Sequence, residues 1–119
     1  MNLLTYTMNK ALVITLEGEF DAHAVTDLRA QFDTFSSLDN DVLIDMSAVH
    51  FIDSSGVGAL VFLYKRLKER GYVMSVLNVN GQPKDLFDLL HLNKTIQCFD
   101  SVKSFLGVKD NFAVSARFA

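Results

Sequence analysis

A chain of 119 residues, half of them apolar, has the length of one domain and enough hydrophobic material for a real core. Its formal charge of −3 and pI near 5.4 argue against nucleic-acid binding, which normally shows a basic patch. The longest apolar run, Gly58 to Tyr64, falls far short of the ~20 residues that cross a bilayer, so membrane insertion is not expected.

In chain order, Leu3 to Met8 and Ala11 to Glu17 are strand-like, the second rich in Val, Ile and Thr. Asn9-Lys10 between them predicts a hairpin, though without the stronger Asn-Gly signal. The period then changes. Val25, Leu28, Phe32 and Phe35 recur at helical spacing behind an Asp21 cap, and Ser36 to Asn40 ends that helix. Val42 to Met46 has the length and character of a short buried strand. Ser54 to Arg70 is a second helix closed by Gly71, and Tyr72 to Val79 a further strand. Gln82 to Leu90 predicts a third helix, Ile96 to Phe99 a last short strand, and Ser101 to Leu106 a fourth helix. Alternating strands and helices predict an α/β fold, a mostly parallel sheet of about five strands packed with four helices, the first hairpin adding an antiparallel edge. Residues 108–119 form a tail in which Phe112, Val114, Ala116 and Phe118 alternate with period two. That pattern fits an added edge strand, a docking segment or a disordered end.

The stretch from His50 to Gly58, His-Phe-Ile-Asp-Ser-Ser-Gly-Val-Gly, concentrates polar and small residues just ahead of the second helix. Two glycines in a first helical turn cost roughly 1 kcal/mol each relative to alanine, so they need a reason. Asp53 or Ser54 is a good N-cap, which places Ser55 in the first turn beside free backbone N–H groups. Those groups and the helix dipole favour negative charge there, so a phosphate on Ser55 would be tolerated while adding about −1.5 to −2 charge to the surface. Gly56 and Gly58, having no side chains, would let another protein approach closely. A plain capped helix start with two tolerated glycines explains the same residues.

Along the second helix, counting ~100° per residue, Val57, Leu60, Val61, Tyr64 and Leu67 share the core-facing side. Phe62 falls opposite, among Lys65, Arg66 and Glu69. It either packs beneath the first helix or a loop, or is an exposed anchor beside Ser55, since aromatic residues dominate interface energetics.

Other chemistries find little support. A serine hydrolase using Ser54 or Ser55 lacks the G-x-S-x-G elbow. His23, His50 and His91 have no spacing that brings one against a serine, and with one cysteine they match no zinc pattern. There is no G-x-x-x-x-G-K-[ST] phosphate loop. Cys98 excludes an internal disulfide and is expected to be a small buried hydrophobe. Residues Met1 to Thr7 show neither the charged start nor the cleavage site of a signal peptide, which points to a reducing cytoplasm. No catalytic or metal site is expected.

The segment VLIDMSAVHFIDSSGVGALVFLYKRLKERG resembles the central strand–loop–helix of STAS domains, specifically the bacterial anti-sigma factor antagonists. The resemblance extends upstream through LEGEFDAHAV, which matches the family's Gly-x-hydrophobic-Asp lead-in to the first helix. Downstream it takes in LNVNGQPKDLFDLLHLNKTIQCFDSVKSFL, so that a STAS domain spanning 1–107 and a tail at 108–119 are expected. The resemblance implies phosphorylation of the second serine of the motif, Ser55, by a partner serine kinase that is also the anti-sigma factor. Asp53 and Ser54 are then its immediate neighbours, and Asp21 belongs to a loop beside it. Asp21, Asp53, Ser54, Gly56, Gly58 and Phe62 are the expected partner-binding residues. A phosphatase of the metal-dependent serine type would reset the switch. ATP and metal belong to those partners, so no cofactor is assigned to this chain, which is expected to be a monomer when alone. The alternative within the same fold is a STAS subunit regulating a biofilm, secretion or transport complex by binding without phosphorylation.

Overall fold

A computed structural model describes residues 1–107; the expectations for the tail lie outside the described residues. Two antiparallel strands open the chain, β1 (Asn2–Met8) and β2 (Ala11–Phe20), joined by Asn9 and Lys10. Both turn residues have positive φ, 52° and 68°, the backbone that lets a two-residue turn follow the twist of its strands. Helix α1 (Ala22–Phe35) leads to β3 (Val42–Ile52), then come α2 (Ser54–Glu69), β4 (Met74–Leu77), α3 (Gly81–Leu89), a 3-10 turn at Leu92–Lys94 and β5 (Gln97–Phe99). Residues 102–107 are helical and form α4. The strands lie in sequence order, β1-β2-β3-β4-β5, with β1–β2 antiparallel and the other three pairs parallel. The expected mixed, mostly parallel sheet with four helices is therefore present.

Alternation along the strands divides the core between the two faces of the sheet. Ile14, Leu16, Ile44 and Val76 join the larger cluster with Leu28 and Phe32 of α1 and Leu60, Leu63 and Leu67 of α2. Ala11, Val13, Leu43, Leu77 and Phe99 point the other way and are closed over by Phe105 of α4, whose ring meets Phe99 edge-on at 5.4 Å.

Two strands run further than periodicity predicts. Beyond Glu17 and Met46, β2 and β3 continue together to Phe20 and Ile52, with register shifts between Thr15 and Glu17 and between Gly18 and Glu19. Those irregularities break the alternation that marks a strand in sequence, so the expected strands stop at Glu17 and Met46. Cys98 is a second correction: it is exposed on the edge strand, its thiol donating to Ile96 O at 3.4 Å. Desolvation by its surroundings, with Asp88 next in weight, holds the thiol above its usual range, which disfavours a reactive thiolate.

At the end of α2 the chain reverses through Gly71, φ 85°. The Tyr72 N–H donates to Leu67 O at 2.9 Å and the Gly71 N–H to Lys68 O at 3.0 Å, the paired bonds that satisfy a helix's last carbonyls. Arg70, the cap residue, extends its guanidinium to the end of α1, donating to Ser36 O at 3.2 Å, to Leu38 O at 2.6 Å and to the Asp39 carboxylate. One cation thus ties two helix ends together. Arg70→Ala should therefore lower stability by about 1–3 kcal/mol. Urea denaturation checks this, and a midpoint equal to that of the wild type would show the tie to be idle.

Candidate functional site

β2 and β3 end level with each other, Phe20 opposite Ile52, and the chain leaves both the same way. Asp21 and Asp53 follow, each in extended conformation (φ −106°, ψ −175° and φ −110°, ψ −174°), and each caps the helix that begins at the next residue. Asp21 Oδ1 accepts from the Ala24 N–H at 3.0 Å, and Asp53 Oδ1 from the Gly56 N–H at 3.0 Å. The second carboxylate oxygen of Asp53 accepts from the Ala22 N–H of the neighbouring helix at 3.1 Å. One carboxylate therefore caps α2 and holds the start of α1. Capping falls to Asp53 rather than Ser54, because only Asp53 keeps the extended backbone an N-cap needs.

Ser54 and Ser55 are the first two helical residues, Ser54 exposed and Ser55 half-buried. Gly56 is buried, and a Cβ built there would lie 2.2 Å from Phe20 O and 2.7 Å from Ile52 Cγ1. Its missing side chain serves packing inside the chain, which corrects the expectation that both glycines leave room for a partner. A Cβ at Gly58 would meet nothing within 4 Å, so that glycine fronts open space.

Gly56 also sets which face of α2 turns inward. The buried line runs through Gly56, Leu60, Leu63 and Leu67, with Val57 buried at its margin. The expected stripe is thus rotated: Leu63 joins it, while Val61 and Tyr64 are only half-buried. On the flank toward α1, Ser55, Ala59 and Phe62 follow one another at helical spacing. Ala59 and Phe62 form one wall of a groove of about 230 Å³, with Phe20, Val25, Arg29, Phe32 and Asp33 completing its lining. Phe62 is 42% exposed, with the Arg66 guanidinium 5.2 Å from its ring centroid. It neither disappears beneath α1 nor stands clear of it.

Two residues near the site carry no sequence signal that singles them out. Phe51, 41% exposed, lies two positions before Asp53. Gln82 of α3 places its side-chain amide against the backbone of Ile52. The histidines are scattered by comparison: His23 pairs with Asp27 on α1, His50 is exposed on β3, and His91 precedes the 3-10 turn.

A family model described as STAS domain matches residues 2–105. The chain belongs to the STAS-domain family. Among its relatives is the anti-sigma F factor antagonist of Paenibacillus polymyxa, 29% identical over 92 residues that make up 76% of this chain and 79% of that protein. An anti-sigma factor antagonist from Mycobacterium paratuberculosis has the same fold, with a TM-score of 0.80 at 21% identity over 90% of this chain and 92% of that one. The Bacillus cell fate determinant SpoIIAA, solved in its phosphorylated form, superposes with a TM-score of 0.69 at 23% identity over 90% of this chain and 99% of that one. Anti-sigma factor antagonists are regulators rather than enzymes. No helix among the described residues of this STAS domain is long and apolar enough to cross a membrane.

The two glycines of the STAS site should respond oppositely to one methyl group. Gly56→Ala forces Cβ into the Phe20 carbonyl and should cost roughly 3 kcal/mol. Gly58→Ala meets no atom and should gain about 0.5–1 kcal/mol from helix propensity. Chemical denaturation of both variants tests this, and equal shifts would refute the assignment of Gly56 to the interior.

Proposed function

We propose that this chain is an anti-sigma factor antagonist of the partner-switching kind. Unmodified, it docks on a cytoplasmic serine kinase that is also an anti-sigma factor, and that partner releases the sigma factor it holds. Phosphorylation of Ser55 ends the contact, and a metal-dependent serine phosphatase restores it. The observation that carries this reading is the position of Ser55. It stands half-buried in the first turn of α2, two residues after the Asp53 cap, on the flank that leads to the apolar groove and Phe62.

Magnitudes support a switch by charge. A phosphate near a helix N-terminus gains about 0.3–1 kcal/mol from the dipole, so the free protein tolerates it. Inside an interface, an unpaired or like charge costs about 2–5 kcal/mol, enough to reverse binding. Asp21 and Asp53 bring two carboxylates to the same place. Gly58 lets the partner come close to the helix, and Phe62 with the groove beside it supplies the apolar contact. The names of the curated relatives agree with this role.

Incubation with ATP and the serine-kinase anti-sigma factors of the same genome should add one phosphate, which tandem mass spectrometry should place on Ser55; phosphate on Ser54 would refute the assignment. Ser55→Ala should bind the kinase constitutively and Ser55→Asp more weakly, and equal affinities by calorimetry would remove charge as the switch. Phe62→Ala should weaken binding by ~2 kcal/mol, about thirtyfold in Kd, with little change in melting temperature. A steep fall in melting would instead assign Phe62 to the core.

A further inference from the structure

β4 ends at Leu77, opposite Asp45, whereas β3 runs on to Ile52. Over that last stretch β3 has β2 along one edge and, among the described residues, no strand along the other. Ile52 itself is fully buried, so its backbone groups need partners there. Gln82 supplies them. Its Oε1 accepts from the Ile52 N–H at 2.9 Å and its Nε2 donates to Ile52 O at 2.9 Å. A primary amide has one acceptor and one donor group side by side, so this side chain acts as a single residue of a missing strand. Asn80 adds a longer bond, Nδ2 to Ser47 O at 3.4 Å, further back on β3.

The pair lies just before the phosphoacceptor. On the other side of the strand end, the Asp53 N–H donates to Phe20 O at 3.4 Å. The end of β3 is thus held from both edges, one residue before the cap and three before Ser55. We propose that Gln82 is a positioning residue for phosphorylation of Ser55, a role that rests on the function proposed above. In that transfer Ser55 Oγ bonds to the γ-phosphorus of the kinase's ATP, the bond from that phosphorus to ADP breaks, and the hydroxyl proton leaves to the kinase's base or to water. The step requires Oγ at a defined place, and a displacement of about 1 Å costs on the order of a hundredfold in rate. Gln82 touches no reacting atom. It fixes the strand end from which the helix carrying Ser55 departs.

Gln82→Leu keeps the bulk and removes both bonds, while Gln82→Glu keeps the acceptor and loses the donor until the carboxyl is protonated. The protonated acid can both accept and donate as the amide does, so both bonds are present at low pH and the one to Ile52 O is lost as the carboxyl ionises. Amide exchange followed by NMR should show Ile52 exchanging at least tenfold faster in Gln82→Leu at pH 7, with Leu60 unchanged. Gln82→Glu, whose carboxylate still accepts from the Ile52 N–H but opposes the Ile52 carbonyl, should exchange at a rate between the wild type and Gln82→Leu at pH 7 and converge on the wild type at the same pH near 4. With a kinase that phosphorylates the wild type, Gln82→Leu should lower kcat about tenfold or more at unchanged KM, since the docking flank is intact. Unchanged Ile52 exchange overturns the clamp. Faster exchange with unaltered kcat reduces Gln82 to a stabilising residue and overturns its positioning role. A wild-type chain that accepts no phosphate overturns the function proposed above, and this role with it, whatever the exchange shows.

Discussion

The Phe20 carbonyl and Gly56 are so close that no side chain fits between them: a Cβ at Gly56 would lie 2.2 Å from that oxygen. The contact exists because β2 and β3 end in register and both helices start at once. With Gly56 facing the sheet, Leu60, Leu63 and Leu67 follow it inward and the core behind them closes. The helix cannot rotate without driving a side chain into backbone. Its phase about its own axis is therefore set at its first turn, before any of the large apolar residues takes part.

That phase decides where the serines point. Successive helical residues are about 100° apart, so an inward Gly56 carries Ser55 to the flank. Ala59 and Phe62 lie on the same flank, four and seven positions on, where α1 faces them across the groove. The two caps make the junction firm. Asp53 spends one carboxylate oxygen on its own helix and the other on the Ala22 N–H, so neither helix start moves alone. In the proposed function a firm junction matters, because a phosphate added there changes charge against a fixed background and needs no rearrangement to be felt.

Much of this was legible in the residues. The hairpin, the helix start at Asp21, a second helix start at Asp53 or Ser54, and a mostly parallel sheet follow from period and capping chemistry. What stayed hidden depends on contacts distant in sequence. Gly56 and Gly58 are the same residue type two positions apart, and only the Phe20 carbonyl distinguishes their tasks. Counting the core stripe from Val57 rather than Gly56 brings in Val61 and Tyr64 and leaves out Leu63, an error of one residue in phase. The far halves of β2 and β3 escape because register shifts disrupt alternation. Gln82 escapes because a polar residue near a helix start is ordinary, and its partner is 30 positions away.

The apparent cost of two glycines at a helix start is therefore divided between two ends of one requirement. Gly56 lets α2 sit against the strand end, and without that approach the helix would have to take another phase or stand off from the sheet. Gly58, about 200° further round, leaves open space where a side chain would otherwise stand. A helix start built only for stability would keep the first and replace the second with alanine, gaining helix propensity at no steric cost. Retaining Gly58 is uneconomical for the isolated fold, and it becomes intelligible once another molecule has to reach the turn that carries Ser55. The fold accounts for one glycine, and the proposed docking surface for the other.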